Sequence, residues 1–361
     1  MHELVLVLSD FYVSQETPDR ELPAGVTLPG LQQVTRFGTR SPIPNGWRPW
    51  LSRWLTGADA GAPGTVAAAA LPAIPWSTAA AGTIAPAATA WVATPMHLVA
   101  GMTSVHVDRR SILRLDAGDQ AMLVADFQRV FHDSGFHLQP LEGGDFLLLG
   151  PEMPTAEMEE PARAMGASLA HQAGASPSLR KLGAEIEMWL HDHALNDTRR
   201  RRGEQPVTAL WLWGGGPIAA AGVGLGGRGT PALAAAGDAL ASAARSPSSD
   251  IAFGRDSYLR GLWANVAPLP QQLADVFSYP QAQRALLVIE IGLMLQSNPK
   301  WNFFEAVVDI DRRFIAPAVE ALNAGQYDRL IVLANDYELT LRASDRFKFW
   351  RRTPAGLSGL Q

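Results

Sequence analysis

Two groups of residues in this chain have the types and spacing to do chemistry. The first lies in the stretch His191 to Gly216, HDHALNDTRRRRGEQPVTALWLWGGG. Its basic run, Arg199 to Arg202, offers guanidinium forks of the kind that bind phosphate or carboxylate bidentately, and Asn196 adds an amide. Val207 to Trp213 is apolar and rich in β-formers, the pattern of a buried strand. Gly214, Gly215 and Gly216 follow at once. In an open α/β sheet, such a strand-to-glycine edge is where backbone is presented to a ligand. The second group is three carboxylates, Asp10, Glu290 and Asp336, at or near the ends of predicted strands. Together they are chemically able to hold one magnesium ion. Their ordinary roles are caps and ion pairs with the abundant arginines.

The other reactive side chains read as structural. His191 and His193 are two apart, so on a helix they face different ways. His97 and His106 fall in predicted strands and read as hydrogen-bonded structural histidines. No histidine follows His193, so a metal site drawing imidazoles from the second half of the chain cannot form. Ser41 and Ser52 lack the glycine-rich turn of a nucleophile, and none is assigned. Gly222-x-Gly224-x-x-Gly227 matches a dinucleotide fingerprint formally, but it neither follows a strand directly nor opens a helix. It reads as a glycine loop.

The elements that must position these residues follow from pattern. Leu4 to Leu8 is a buried first strand ending at Ser9-Asp10. A helix is expected over Leu28 to Gly38. In the next helix Trp47, Trp50 and Trp54 share one face, as core or contact residues. Trp91 to Leu115 reads as two strands turning at Gly101. Asp116 caps a helix to Phe131, and Phe136–Gln139 and Asp145–Leu149 form a hairpin. Leu179 to His191 is an amphipathic helix. Pro231 to Ala244 and Trp301 to Leu322 read as helices, and Asp250–Phe253, Ala285–Ile291 and Arg329–Ala334 as strands, followed by Tyr337–Leu341 and Phe347–Trp350. Strand, helix, strand in this order predicts an α/β fold: a mostly parallel central sheet flanked by helices, with a smaller α+β insert. The expected division is 1–89 for the first part of the core, 90–150 for the insert and 151–361 for the second part.

Bulk composition bounds the function. The 361 residues hold 47% hydrophobic and 18% charged positions, as a globular core requires. The net charge of −5 gives no global field toward nucleic acid or an anionic membrane. The chain has no cysteine, which excludes disulfides and thiol nucleophiles and fits the cytoplasm. The alanine-rich region Val66 to Ala90 is broken by Pro72, Pro75 and Pro86, so no membrane span is expected there.

These motifs carry a family resemblance. Asn196, Arg199, Gly203, Pro206 and Leu210-Trp211-Leu212-Trp213-Gly214-x-Gly216 resemble a segment of the archaeal-type cofactor-independent phosphoglycerate mutases, members of the alkaline phosphatase superfamily. The resemblance extends to Leu28–Gly38, Trp91–Leu115, the helix with Glu305, Asp309-Ile310-Asp311 and Glu320, and the strand Tyr327–Leu333. Met96 to His106 together with Ala209 to Gly216 resembles the bacterial RpfE-type regulatory proteins. The resemblance implies phosphoryl transfer with two divalent cations clamping the reacting oxygens, with Asp10 where the family's first metal-binding aspartate sits. Where the family has its later Asp and His ligands, this chain reads Leu293 to Pro299, with neither, and Asn335-Asp336-Tyr337-Glu338-Leu339.

The resulting expectation is a non-catalytic, regulatory relative without a resident cofactor. It would bind a small anionic or phosphorylated ligand, or a protein partner, and neither nucleic acid nor membrane. The ligand set is Asn196, Arg199, Trp213, Gly214 and Gly216. The alternative is a metal-dependent phosphomutase or phosphatase with rearranged ligands, Asp10, Glu290 and Asp336 holding magnesium or manganese.

Overall fold

The structure, a computed structural model, describes residues 1–12, 22–23, 25–43, 46–56, 89–100, 105–107, 110–151, 153, 160–164, 177–217, 250–263, 266–334, 336–348, 350–352 and 357. The glycine loop with Gly222, Gly224 and Gly227, the expected helix 231–244, the turn at Gly101 and the whole of 57–88 lie outside them. In chain order the strands are β1 (Glu3–Ser9), β2 (Thr39–Pro42), β3 (Thr89–Met96), β4 (Val99–Ala100), β5 (Val105–His106), β6 (His137–Pro140), β7 (Phe146–Gly150), β8 (Ala209–Pro217), β9 (Asp250–Phe253), β10 (Val266–Ala267), β11 (Arg284–Glu290), β12 (Arg329–Ala334) and β13 (Tyr337–Leu341). The helices are α1 (Pro29–Phe37), α2 (Trp47–Thr56), α3 (Ala117–Val130), α4 (Pro177–His191), α5 (Ala194–Arg201), α6 (Ser257–Leu262), α7 (Ile291–Ser297), α8 (Phe303–Ile310) and α9 (Ala316–Asn323). Contacts gather the chain into two units: Met1–Leu51 with Ser246–Arg255 and Asn265–Gln361, and Ser52–Arg245 with Asp256–Ala264.

The first unit holds a seven-stranded sheet in the order β10-β9-β11-β1-β12-β13-β2. The strands from β10 to β12 run parallel, and only the β12–β13 and β13–β2 pairs are antiparallel. This is the mostly parallel α/β sheet that the alternation of strands and helices predicts. β1 lies inside it, every residue buried, which is why its sequence is a continuous apolar run and not an alternating one. Leu4, Leu6 and Leu8 share a core with Leu31 and Val34 of α1, Val307 and Ile310 of α8, and Val319 and Leu322 of α9.

The long C-terminal helix carries one π turn, Asp311–Ile315, between α8 and α9. Asn302 opens α8 through a reciprocal cap: its Oδ1 accepts from Glu305 N at 3.0 Å, while its own N–H donates to Glu305 Oε2 at 2.6 Å. The π turn places buried Asp311 at the start of α1, where it accepts from the N–H groups of Gly30 at 3.1 Å and Leu31 at 2.6 Å. A carboxylate there satisfies two of the donors a helix start leaves open. Burial still holds its pKa above the usual aspartate range, with the Leu31 and Gly30 N–H groups opposing that shift.

The second unit holds an antiparallel sheet, β6-β7-β3-β8, and the β4–β5 hairpin. Trp91, Phe127, Phe146, Leu148, Ile186, Leu190 and Leu210 are part of its core. Asp116 caps α3, accepting from Asp119 N at 2.8 Å as its position predicts. The basic stretch after His191 forms a helix of its own, α5. The apolar run ending on glycines is a strand, yet it pairs with β3 in the antiparallel sheet, not in the parallel one; the pairing breaks register at Gly214 and Gly215 and resumes from Gly216 to Pro217. Only glycine fits at 215, because a Cβ there would lie 1.9 Å from the Trp91 ring.

Candidate functional site

Parallel strands all end on the same side, so the carboxyl ends of β11, β1 and β12 form one edge of the central sheet, the usual ligand face of open α/β folds. The register places Ser9 beside Glu290 and Leu8 beside Ala334. The residues at these strand ends are therefore Asp10 after β1 and Asp336 shortly after β12, with Glu290 closing β11. The three sequence-predicted carboxylates thus stand at the ends of three neighbouring strands. Asp10 is buried, its Oδ1 accepts from Ser9 Oγ at 3.3 Å, and its backbone is left-handed, with φ at +64°. It is the non-glycine position with positive φ among the described residues. Aspartate tolerates that region better than most residues, but at a cost of roughly 1–2 kcal/mol. Glu290 is also buried and immediately precedes α7. The Asp336 carbonyl accepts from Ile43 N at 2.6 Å, tying β12 to the chain after β2.

Carboxylate oxygens suit magnesium or manganese. As placed, however, no group of three or more His, Asp or Glu side chains among the described residues is arranged to hold a metal ion. The edge is acidic without being a formed cation cage.

The residues of the WLWG stretch are brought together differently. Asn196 is buried, and its amide donates to the carbonyls of Leu190 and Val207, both at 2.8 Å, while its Oδ1 accepts from Val207 N at 2.7 Å. It bolts the end of α4 to the chain entering β8. Arg199 is buried; Nη1 meets Asp119 Oδ2 at 2.6 Å and Glu204 Oε2 at 3.1 Å, and Nε donates to the Gln205 carbonyl at 2.8 Å. Arg202 adds a second guanidinium on Asp119, at 2.7 Å. Trp213 Nε1 donates to Thr94 Oγ1 across the β3–β8 pair at 2.9 Å. Gly214 carries φ of +60° and Gly216 pairs with Ala90. The geometry gives these residues a clamping role, with the guanidinium of Arg199 turned onto carboxylates of its own chain. Asp119 is the residue that sequence reading missed. It looked like an ordinary first-turn acid of α3, and only its burial marks it as the counter-charge.

The histidines divide in the same way. His97 Nδ1 hydrogen-bonds the Pro206 carbonyl at 3.0 Å. His193 caps α5, its Nδ1 accepting from Leu195 N at 3.1 Å. Its Nε2 lies 3.3 Å from Asp126 Oδ2, which also accepts from Trp189 Nε1 at 2.8 Å. Burial holds the His193 pKa below the usual histidine value; the Arg129 charge adds to this and Asp126 opposes it. His191 is exposed, as is Ser41 on β2. Trp47 is buried, and Trp50 Nε1 donates to Glu338 Oε2 at 2.8 Å, so the tryptophan face is largely turned inward. Among the described residues, no helix is long and apolar enough to cross a membrane.

No family model matches the chain, and no curated protein matches it. Among solved structures it is similar to a cofactor-independent phosphoglycerate mutase from Thermoplasma acidophilum DSM 1728, at 16% identity over 94% of this chain and 89% of that one, with a TM-score of 0.37. It is also similar to the PH0037 protein from Pyrococcus horikoshii, at 12% identity over 94% and 87%, with a TM-score of 0.44. At these values the likeness carries no functional argument.

Proposed function

We propose that the chain is a phosphoglycerate mutase-like protein with a regulatory role, whose acidic sheet edge holds a partner and does not turn over phosphoesters. The observation that supports this reading best is Asp10. A buried aspartate kept in a costly left-handed conformation at a strand end marks a place where the fold spends stability on something other than packing. Glu290 and Asp336 stand at the ends of the neighbouring strands, and the chain supplies no imidazole after His193. With Asn196 and Arg199 engaged by their own chain, a protein partner presenting Lys or Arg suits the site better than a small anion.

The test is titration calorimetry with manganese and with magnesium, paired with a phosphatase assay on p-nitrophenyl phosphate. No stoichiometric metal binding and no turnover are expected. Tight binding together with turnover that is lost in both Asp10→Ala and Asp336→Ala would replace this reading with the metal-dependent phosphomutase or phosphatase.

A further inference from the structure

The chain is acidic overall, with a net charge of −5. One segment departs from that. Between positions 342 and 352 stand five basic residues, Arg342, Arg346, Lys348, Arg351 and Arg352, against a single acid, Asp345. Two large aromatic rings in the same segment face solvent, Phe347 at 64% and Trp350 at 68% exposure. Water is a poor environment for either ring, and burying each would be favourable.

The segment is firmly built. Asp345 is buried; its carboxylate accepts from Arg342 N at 2.9 Å and pairs with Lys348 Nζ at 2.6 Å, closing the 3₁₀ turn Ala343–Phe347. Arg351 Nη1 donates to the carbonyls of Phe37 and Gly38 at 3.1 and 2.7 Å, and its own carbonyl accepts from Arg36 Nε at 2.8 Å. Beyond it, Leu357 is buried in the core of the first unit. The turn is anchored on both sides, so its aromatics are presented without further ordering cost.

We propose that this turn docks the protein on an anionic lipid bilayer. Exposed Trp and Phe beside Arg are the residue types that settle at a membrane interface, with rings at the headgroup level and cations on anionic lipid. A purely acidic soluble partner would be met by charge alone and gives no reason for two rings exposed to this degree. A single-stranded nucleic acid would need open ring faces for stacking, and the Arg346 guanidinium already sits 4.9 Å over the Phe347 ring.

Flotation of the full chain with vesicles tests this. It should float with vesicles of equimolar phosphatidylcholine and phosphatidylserine, much less with phosphatidylcholine alone, and less as salt rises. Phe347→Ser with Trp350→Ser, and separately Arg346→Glu with Arg352→Glu, should each lower binding about tenfold with circular dichroism unchanged. All four sites are exposed, and the two pairs fail independently if one disturbs folding. No binding to the serine lipid, undiminished binding in a folded pair, or tighter binding to a single-stranded oligonucleotide would overturn the proposal.

Discussion

Arg199 Nη1 lies 2.6 Å from Oδ2 of Asp119, a residue 80 positions earlier in the chain, and both side chains are buried. A buried pair of this kind is best understood by what happens when half of it is removed. Arg199→Ala leaves the Asp119 carboxylate with Arg202 as its remaining cation, and leaves the Gln205 carbonyl without its donor. The expected loss is about 3–5 kcal/mol, read as a lower urea midpoint at unchanged slope. A variant of wild-type stability would show that the guanidinium is free for a ligand after all.

Gly215→Ala probes the β3–β8 pairing. The added methyl meets the Trp91 ring far inside van der Waals contact, and that ring is itself fully buried. The ring cannot retreat without opening the core, so a destabilisation of about 3 kcal/mol or more is expected. Trp91→Leu in the same chain should recover part of it. A double variant no better than Gly215→Ala would place the strain elsewhere.

His193 makes stability depend on pH with a defined sign. Its Nδ1 accepts from Leu195 N, so the folded state needs the neutral ring, and its pKa is lowered, chiefly by burial. The unfolded chain therefore takes up a proton first as pH falls through the ordinary histidine range. The contribution is fully present above about 6.5, is lost progressively as pH drops toward the lowered folded value, and then levels off. His193→Asn keeps a capping side chain without the titration. Urea unfolding from neutral pH to about 5 should show a shallower acid loss in the variant than in the parent. Equal slopes would remove His193 as the cause.

Asp10 separates stability from binding. Glycine adopts φ near +64° without steric cost, so Asp10→Gly should fold at least as well as the parent, within about 1 kcal/mol. Asp10→Ala keeps the strain and loses the Ser9 hydrogen bond, and should be the weaker fold. A fluorescence titration with a lysine-rich peptide should show both variants binding less tightly than the parent. Full retention of binding in Asp10→Gly would leave the left-handed aspartate without the proposed role.

Much of this molecule can be read from local pattern. The apolar runs of β1, β11 and β12, the Asp116 cap of α3, the hairpin of β6 and β7, and the position of Asp10, Glu290 and Asp336 at strand ends all depend on neighbours within a few residues, where period, caps and side-chain type decide the outcome. Tertiary structure decided the rest. A strand over Val207–Trp213 was visible, but not that it continues to Pro217 or that it pairs with β3 in an antiparallel sheet, because an apolar run is compatible with either sheet. The guanidinium of Arg199 was visible, but not that Asp119 neutralises it, and neither was the meeting of Asp311 with the start of α1, 280 positions away. Such partners are chosen by packing and register among segments remote in sequence, and a charge or a glycine carries no local mark of what it will face once the chain has folded.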